Sequence, residues 1–268
     1  VTALKHYWKR IFKLYLVWSI LYLPLLALHW IQGGFDTFTL IRLLRDVLLN
    51  GTYYHLWFFP ALLLGVPIVY CLYTSWNKRS MLWVCGGLYV IGMLINVYGN
   101  VLGSIPFLGS VIHAYESIFV TSRNGLFFAP LYLVLGIYAQ DFIDQPYKRQ
   151  AGFAFLFAFV AFCIEAWLLV EWGIMHDLTS MYLMLAPTVF FLFIFLLQFH
   201  LSQKKIYGTL RKMSLLLYVS HIYFIYLFLN VLHMGNLIVY ALSIGCSCVL
   251  SLCMINAAKR YPKFRVLM

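Results

Sequence analysis

The chain has 268 residues, 64% of them hydrophobic and only 10% charged, with a formal net charge of +11 and a mean hydropathy of +0.88. A soluble domain is nearer half apolar and a quarter charged, so this composition excludes an ordinary soluble fold and points to an all-α, polytopic integral membrane bundle. The positive charge does not read as a nucleic-acid surface, because nearly every cation flanks an apolar run instead of forming a patch on a soluble fold.

The first element is "HYWKRIFKLYLVWSILYLPLLALHWI", His6 to Ile31, in which Lys9, Arg10 and Lys13 lead into a membrane-length apolar run with no acid to balance them. A spanning helix needs about 20 mostly apolar residues, and eight segments meet that length. They are roughly residues 11–31, 54–74, 81–102, 124–140, 151–171, 179–199, 213–233 and 236–257. Between the third and the fourth lies "SIPFLGSVIHAYESIFVTS", Ser104 to Ser122, which carries Pro106, His113 and Glu116 and reads as a re-entrant or interfacial piece.

Eight spans leave nine flanking segments whose Lys and Arg content must alternate across a membrane. Sixteen of the nineteen cations fall in the odd segments, in clusters at Lys5 to Lys13, Lys78 and Arg79, Lys148 and Arg149, Lys204 to Lys212, and Lys259 to Arg265. The even segments hold only Arg42, Arg45 and Arg123, together with Asp36, Asp46, Glu116, Glu171 and Asp177. Both ends of the chain are therefore expected on the cytoplasmic side of the plasma membrane. The six cysteines lie inside apolar runs and read as small buried hydrophobes. The Cys246-Ser247-Cys248 pair has the wrong spacing for a structural zinc site, and no metal is expected.

Depth along each helix then singles out the polar residues. Arg10 and Lys13 mark the inner mouth of the first span; His55, Arg123 and Asn124 mark outer mouths; Glu165 lies about two thirds of the way out along the fifth span at 1.5 Å per residue. A carboxylate inside a span is costly and is a functional candidate by default. The collar reads equally as a topology anchor, His55 as part of an aromatic belt, and His221 as a residue satisfied within a packed interface.

"YYHLWFFPALLLG" from Tyr53, "SRNGLFFAPLYLVLGIYA" from Ser122 and "LRKMSLLLYVSHIYFIYLF" from Leu210 resemble, in this order and spacing, segments of the membrane acyltransferase 3 family. The opening "YWKRIFKLYLVWSILY" resembles that family's third helix, with Arg10 and Lys13 in the place of its basic-x-x-basic motif. The resemblance implies about ten helices in the complete fold and transfer of an acyl group, usually acetyl, from cytoplasmic acyl-CoA to a hydroxyl of a cell-envelope glycan. It also implies that this chain, which opens at Val1, is N-terminally incomplete: residues 1–268 would form a single acyltransferase-like domain without the first two helices and their transfer histidine. On this reading Lys9, Arg10 and Lys13 hold the acyl-CoA phosphates, while His55, Arg123, Asn124 and Glu165 serve the transfer site. The membrane part of membrane-bound serine racemases resembles the same family, which leaves a transport domain for serine as the alternative.

Overall fold

The computed structural model describes residues 2–34, 36, 38–143, 145, 148–174, 181–199 and 202–268. Its described residues form helices and connecting turns, with no strand among them. Asp177, expected among the outer acids, lies outside the described residues. The α-helices are α1 (Thr2–Gly33), α2 (Thr39–Arg45), α3 (Phe58–Ser75), α4 (Lys78–Gly103), α5 (Pro106–Phe119), α6 (Ala129–Ala139), α7 (Lys148–Glu171), α8 (Leu185–Leu197), α9 (Lys205–Tyr226) and α10 (Asn236–Arg260).

Six stretches among the described residues are long and apolar enough to cross a membrane, on α1, α3, α4, α7, α9 and α10. The protein is thus an integral membrane protein. The two other expected spans appear as shorter apolar helices, α6 with 11 residues and α8 with 13. In the first case the cause is local: residues 120–128, expected to be partly helical, form a folded turn that delays α6 until Ala129, with Pro130 in its first turn. The interfacial piece is the 14-residue α5, opened by Pro106 and closed by Val120 at φ +56°. The cationic collar is itself helical, because α1 begins at Thr2 and not near residue 11.

The contacts divide the chain into two compact units, residues 1–32 with 201–268, and residues 33–200. In the first, α9 packs along α10. Ser243, Ser247 and Ser251 are buried at a spacing of four on α10, as is Ser220 on α9. Lipid tails are as apolar as leucine, so helices in a membrane gain little from apolar burial alone, and small side chains that allow close approach stabilise the pair instead. Tyr22 of α1 is fully buried and donates its hydroxyl to the Val219 carbonyl at 2.7 Å. The Trp18 indole N–H reaches the carbonyl of Leu267, in the C-terminal turn Pro262–Leu267, at 3.4 Å.

The second unit is built around a core of Met81, Cys85, Tyr89, Val97, Val134 and Met181. The Asn77 side chain caps α4 by accepting from Ser80 N at 2.8 Å, which satisfies one of the helix's orphan donors. Gly125 lies so close to α3 that an added Cβ would come within 2.4 Å of the Leu64 Cβ and 2.8 Å of the Ala61 carbonyl oxygen. A glycine is what allows the 120–128 turn to sit against that helix.

Candidate functional site

Two constellations stand out, one in each unit. In the first, His6, Lys9, Arg10 and Lys13 recur at helical spacing and therefore share one face of α1. Together with Arg265 of the C-terminal turn they line a recess of about 390 Å³, floored by Leu14, Val266 and Met268. That volume falls within the range of small-molecule clefts, roughly 300–1,000 Å³. Like charges three and four residues apart cost a helix about 0.2–0.5 kcal/mol per pair, and no acid among the described lining residues offsets them. The recess is suited to a polyanion, with Arg10 and Arg265 as forked donors and Lys9 and Lys13 as point charges. Sequence reasoning named Lys9, Arg10 and Lys13; His6 and Arg265 were missed. The signal for Arg265 is its place in a cationic tail, but its approach to α1 comes only from the fold.

In the second unit, Arg123 and Asn124 occupy the 120–128 turn. Asn124 is 3% exposed. Its amide donates to the Tyr115 hydroxyl at 2.6 Å and the Thr121 carbonyl at 3.1 Å, and its oxygen accepts from Leu126 N at 2.9 Å and Phe127 N at 3.1 Å. An Asn side chain has two N–H donors and two acceptor sites, so these four bonds use its full capacity. Asn124 builds the turn. Burial pushes the Tyr115 hydroxyl above its ordinary pKa, an effect the Asn124 amide partly offsets. Tyr115 therefore stays protonated and donates to the Thr121 carbonyl at 3.2 Å. Ser122, which sequence reasoning passed over, is buried and donates to the Gly92 carbonyl of α4 at 2.6 Å.

The Arg123 guanidinium lies over the Trp57 ring at 4.7 Å, an arrangement in which the ring face attracts the cation. Trp57 belongs to the short 3-10 turn Tyr54–Trp57, which also carries His55. His55 is 6% exposed and faces the edges of Tyr53 and Tyr54 at 5.9 and 5.7 Å. Gly51, at φ +96°, shapes the approach to this turn, since a Cβ there would meet Trp57 N at 2.5 Å. The stretch around Trp57 thus brings His55 and Arg123 into one neighbourhood.

Glu165 does different work. Its two carboxylate oxygens accept from Leu183 N at 2.7 Å and Met184 N at 2.8 Å, immediately before α8 begins at Leu185. A carboxylate on backbone donors at a helix N-terminus satisfies groups that have no intrahelical partner and complements the helix dipole. Its link to the Arg123 neighbourhood is a chain of aromatic contacts: Trp57 meets Phe128 at 5.4 Å, Phe128 meets Tyr89 at 6.2 Å, and Tyr89 donates to the Tyr182 carbonyl at 2.7 Å. In the first unit, His221 Nδ1 lies 2.7 Å from the Tyr218 carbonyl, one turn back on α9. Because a carbonyl only accepts, that nitrogen carries the proton.

Among the described residues no group of three or more His, Cys, Asp or Glu is placed to hold a metal. The acyltransferase domain family matches residues 1–256, through both units. The chain belongs to this family. It is also 32% identical over 219 residues to a serine/alanine racemase of Enterococcus gallinarum, covering 80% of this chain and 30% of that protein. An amino-acid racemase of Enterococcus faecalis is 30% identical over 221 residues, with 80% of this chain and 29% of the relative covered. A second Enterococcus faecalis amino-acid racemase is 27% identical over 268 residues, 96% of this chain and 37% of the relative. The chain spans about a third of the length of the curated relatives it matches. No solved structure matches it.

Proposed function

We propose that the chain is the membrane domain of an O-acyltransferase that takes an acyl group, acetyl by family resemblance, from cytoplasmic acyl-CoA and delivers it to a hydroxyl of an extracytoplasmic cell-envelope glycan. The observation that carries this reading is the cationic recess of Lys9, Arg10, Lys13 and Arg265 in a chain of the acyltransferase family. The alternation of cations along the sequence favours eight spans, with α6 and α8 as the shorter two, and a recess that faces the cytoplasm. Residues 1–268 count as one domain in this reading, since the family match runs through both units.

In the reaction the acceptor oxygen forms an ester bond to the acyl carbon, the carbon–sulfur bond breaks, and the thiolate of coenzyme A takes up the proton released by the hydroxyl. The protein supplies three things. The recess holds the phosphates of the donor. His55 is the candidate base for the hydroxyl proton, and Arg123, held over the Trp57 ring, is the candidate donor to the developing oxyanion. Asn124 and Glu165 act on the same site by holding the turn and the start of α8 in place.

The test is transfer itself. Inserted protein supplied with radiolabelled acetyl-CoA on the cytoplasmic side is expected to label envelope glycan in an ester-linked, base-labile form. Absence of label in glycan, with the protein inserted, would overturn this reading.

The second reading is a transport domain for serine. It is favoured by the relatives named as serine/alanine and amino-acid racemases. In that case Arg123 would hold the amino acid's carboxylate, and serine uptake, not acyl transfer, would depend on it.

A further inference from the structure

We propose that the N-terminal end of α7 carries a binding groove for an anionic phospholipid, with Arg149 holding the headgroup and Phe153, Leu156 and Phe195 holding the start of an acyl chain. Among the six membrane-length stretches, the one on α7 is the most apolar and the least covered by the rest of the chain, with 11% of its apolar window buried. At its cationic end Arg149, Gly152, Phe153 and Leu156 of α7 and Phe195 of α8 line a recess of about 500 Å³. The Phe195 ring lies against the bare backbone of Gly152, where an added Cβ would stand 3.2 Å from it. This keeps the floor of the recess flat and apolar.

The rim has a different chemistry. The Arg149 guanidinium sits 5.6 Å from the centre of the Phe153 ring, so its stem covers apolar surface while its planar donors stay at the edge. No ion pair to Arg149 occurs among the described residues. Beyond the recess the exposed Phe157 and Val160 continue the same apolar face. From Arg149 to Val160 the helix rises about 16 Å at 1.5 Å per residue, which matches about half of the roughly 30 Å hydrocarbon core. A cation at the headgroup level above an open apolar recess that continues into an apolar face about one leaflet deep is complementary to an anionic lipid; a zwitterionic lipid meets the same surface but gains less from the charge. The inference stands apart from the acyl-transfer reading and uses none of its residues.

The test is native mass spectrometry of the detergent-solubilised full chain titrated with phosphatidylglycerol or phosphatidylcholine of identical acyl chains. The wild type is expected to retain phosphatidylglycerol in preference. Arg149→Gln should lower that preference by about fivefold, the scale of one basic side chain near a membrane surface, and leave phosphatidylcholine unchanged. Leu156→Trp, a substitution at an exposed position that fills the recess, should reduce retention of both. Equal retention of the two lipids by the wild type, or an unchanged ratio in Arg149→Gln, would overturn the proposal. A loss of headgroup preference in Arg149→Gln with full retention in Leu156→Trp would also overturn it, since the charge would then act without a groove.

Discussion

The Arg123 guanidinium lies over the indole of Trp57, 4.7 Å from the ring centre. This contact ties the 120–128 turn to the turn that carries His55, and it depends on a planar cation. Lysine keeps the charge but cannot reproduce a flat, two-pronged donor. Arg123→Lys is therefore expected to insert normally while glycan acylation per inserted protein falls by roughly 10², the scale of losing an oxyanion donor. Full transfer by the lysine variant would reduce Arg123 to a positive charge at a helix entrance.

Asn124 makes a separate prediction, because all four of its hydrogen bonds lie within the turn or reach Tyr115. Asn124→Asp keeps the acceptor and removes both donors, so the Thr121 carbonyl and the Tyr115 hydroxyl each lose one bond and keep only the one they share. The expected loss of stability is about 1–3 kcal/mol, from two lost hydrogen bonds at about 0.5–1.5 kcal/mol each. Tyr115→Phe removes the hydroxyl with both of its bonds, to the Asn124 amide and to the Thr121 carbonyl, and should cost about 1–3 kcal/mol. Thermal unfolding in detergent measures both. Equal, negligible shifts would mean that the turn does not need Asn124.

For Glu165 the geometry separates capping from chemistry. Glu165→Gln retains one acceptor oxygen, so only one of the Leu183 and Met184 amides keeps its partner. Amide exchange at those two positions is expected to speed up by about tenfold, in line with the roughly 1–2 kcal/mol of a lost charged helix-end interaction. Transfer should fall with it. Unchanged exchange together with abolished transfer would instead put the carboxylate in the chemistry.

Asp36 supplies a pH dependence. Its carboxylate accepts from the Thr39 hydroxyl and from Arg42, both at 2.6 Å, and these bonds hold its pKa below the ordinary carboxylate range. A depressed folded value means the stabilisation is present above the ordinary pKa and is lost as pH falls through the lower folded one. Protection of the amides at the start of α2, taken relative to their intrinsic exchange at each pH, should thus be constant near neutrality and fall below about pH 4. Asp36→Asn should remove that dependence, and a wild-type profile flat down to strongly acid pH would contradict the assignment.

How much of this was legible in the sequence follows from what each feature depends on. Spanning stretches are set by composition over about 20 residues, so α1, α3, α4, α7, α9 and α10 fall where the apolar runs lie. The collar was legible for the same reason, since Lys9, Arg10 and Lys13 share a helix face by spacing alone. The interior of the 120–128 turn was not. "SRNG" reads as polar, but the reach of Asn124 to Tyr115 and of Ser122 to Gly92, 30 residues away, exists only once α4 and α5 have packed. Glu165 was visible as an intramembrane carboxylate, yet its partners lie 18 and 19 residues on, with no periodic signal to link them. Arg265 joins the recess from a turn at the other end of the chain, a contact that no local pattern encodes.

The central claim is that the recess on α1 holds the phosphates of the acyl donor. The most direct measurement is acetyl-CoA affinity, by equilibrium binding to the protein in lipid nanodiscs, for the wild type, Arg10→Ala and Arg265→Ala. Loss of one charge-assisted bond is worth about 1.5–3 kcal/mol, which predicts a roughly 10- to 150-fold weaker Kd in each variant. Desulfo-CoA, which keeps all the phosphates, should compete, and pantetheine, which has none, should not. Unchanged affinity in both variants, with the protein correctly inserted, would contradict the account and leave the collar as a topology anchor.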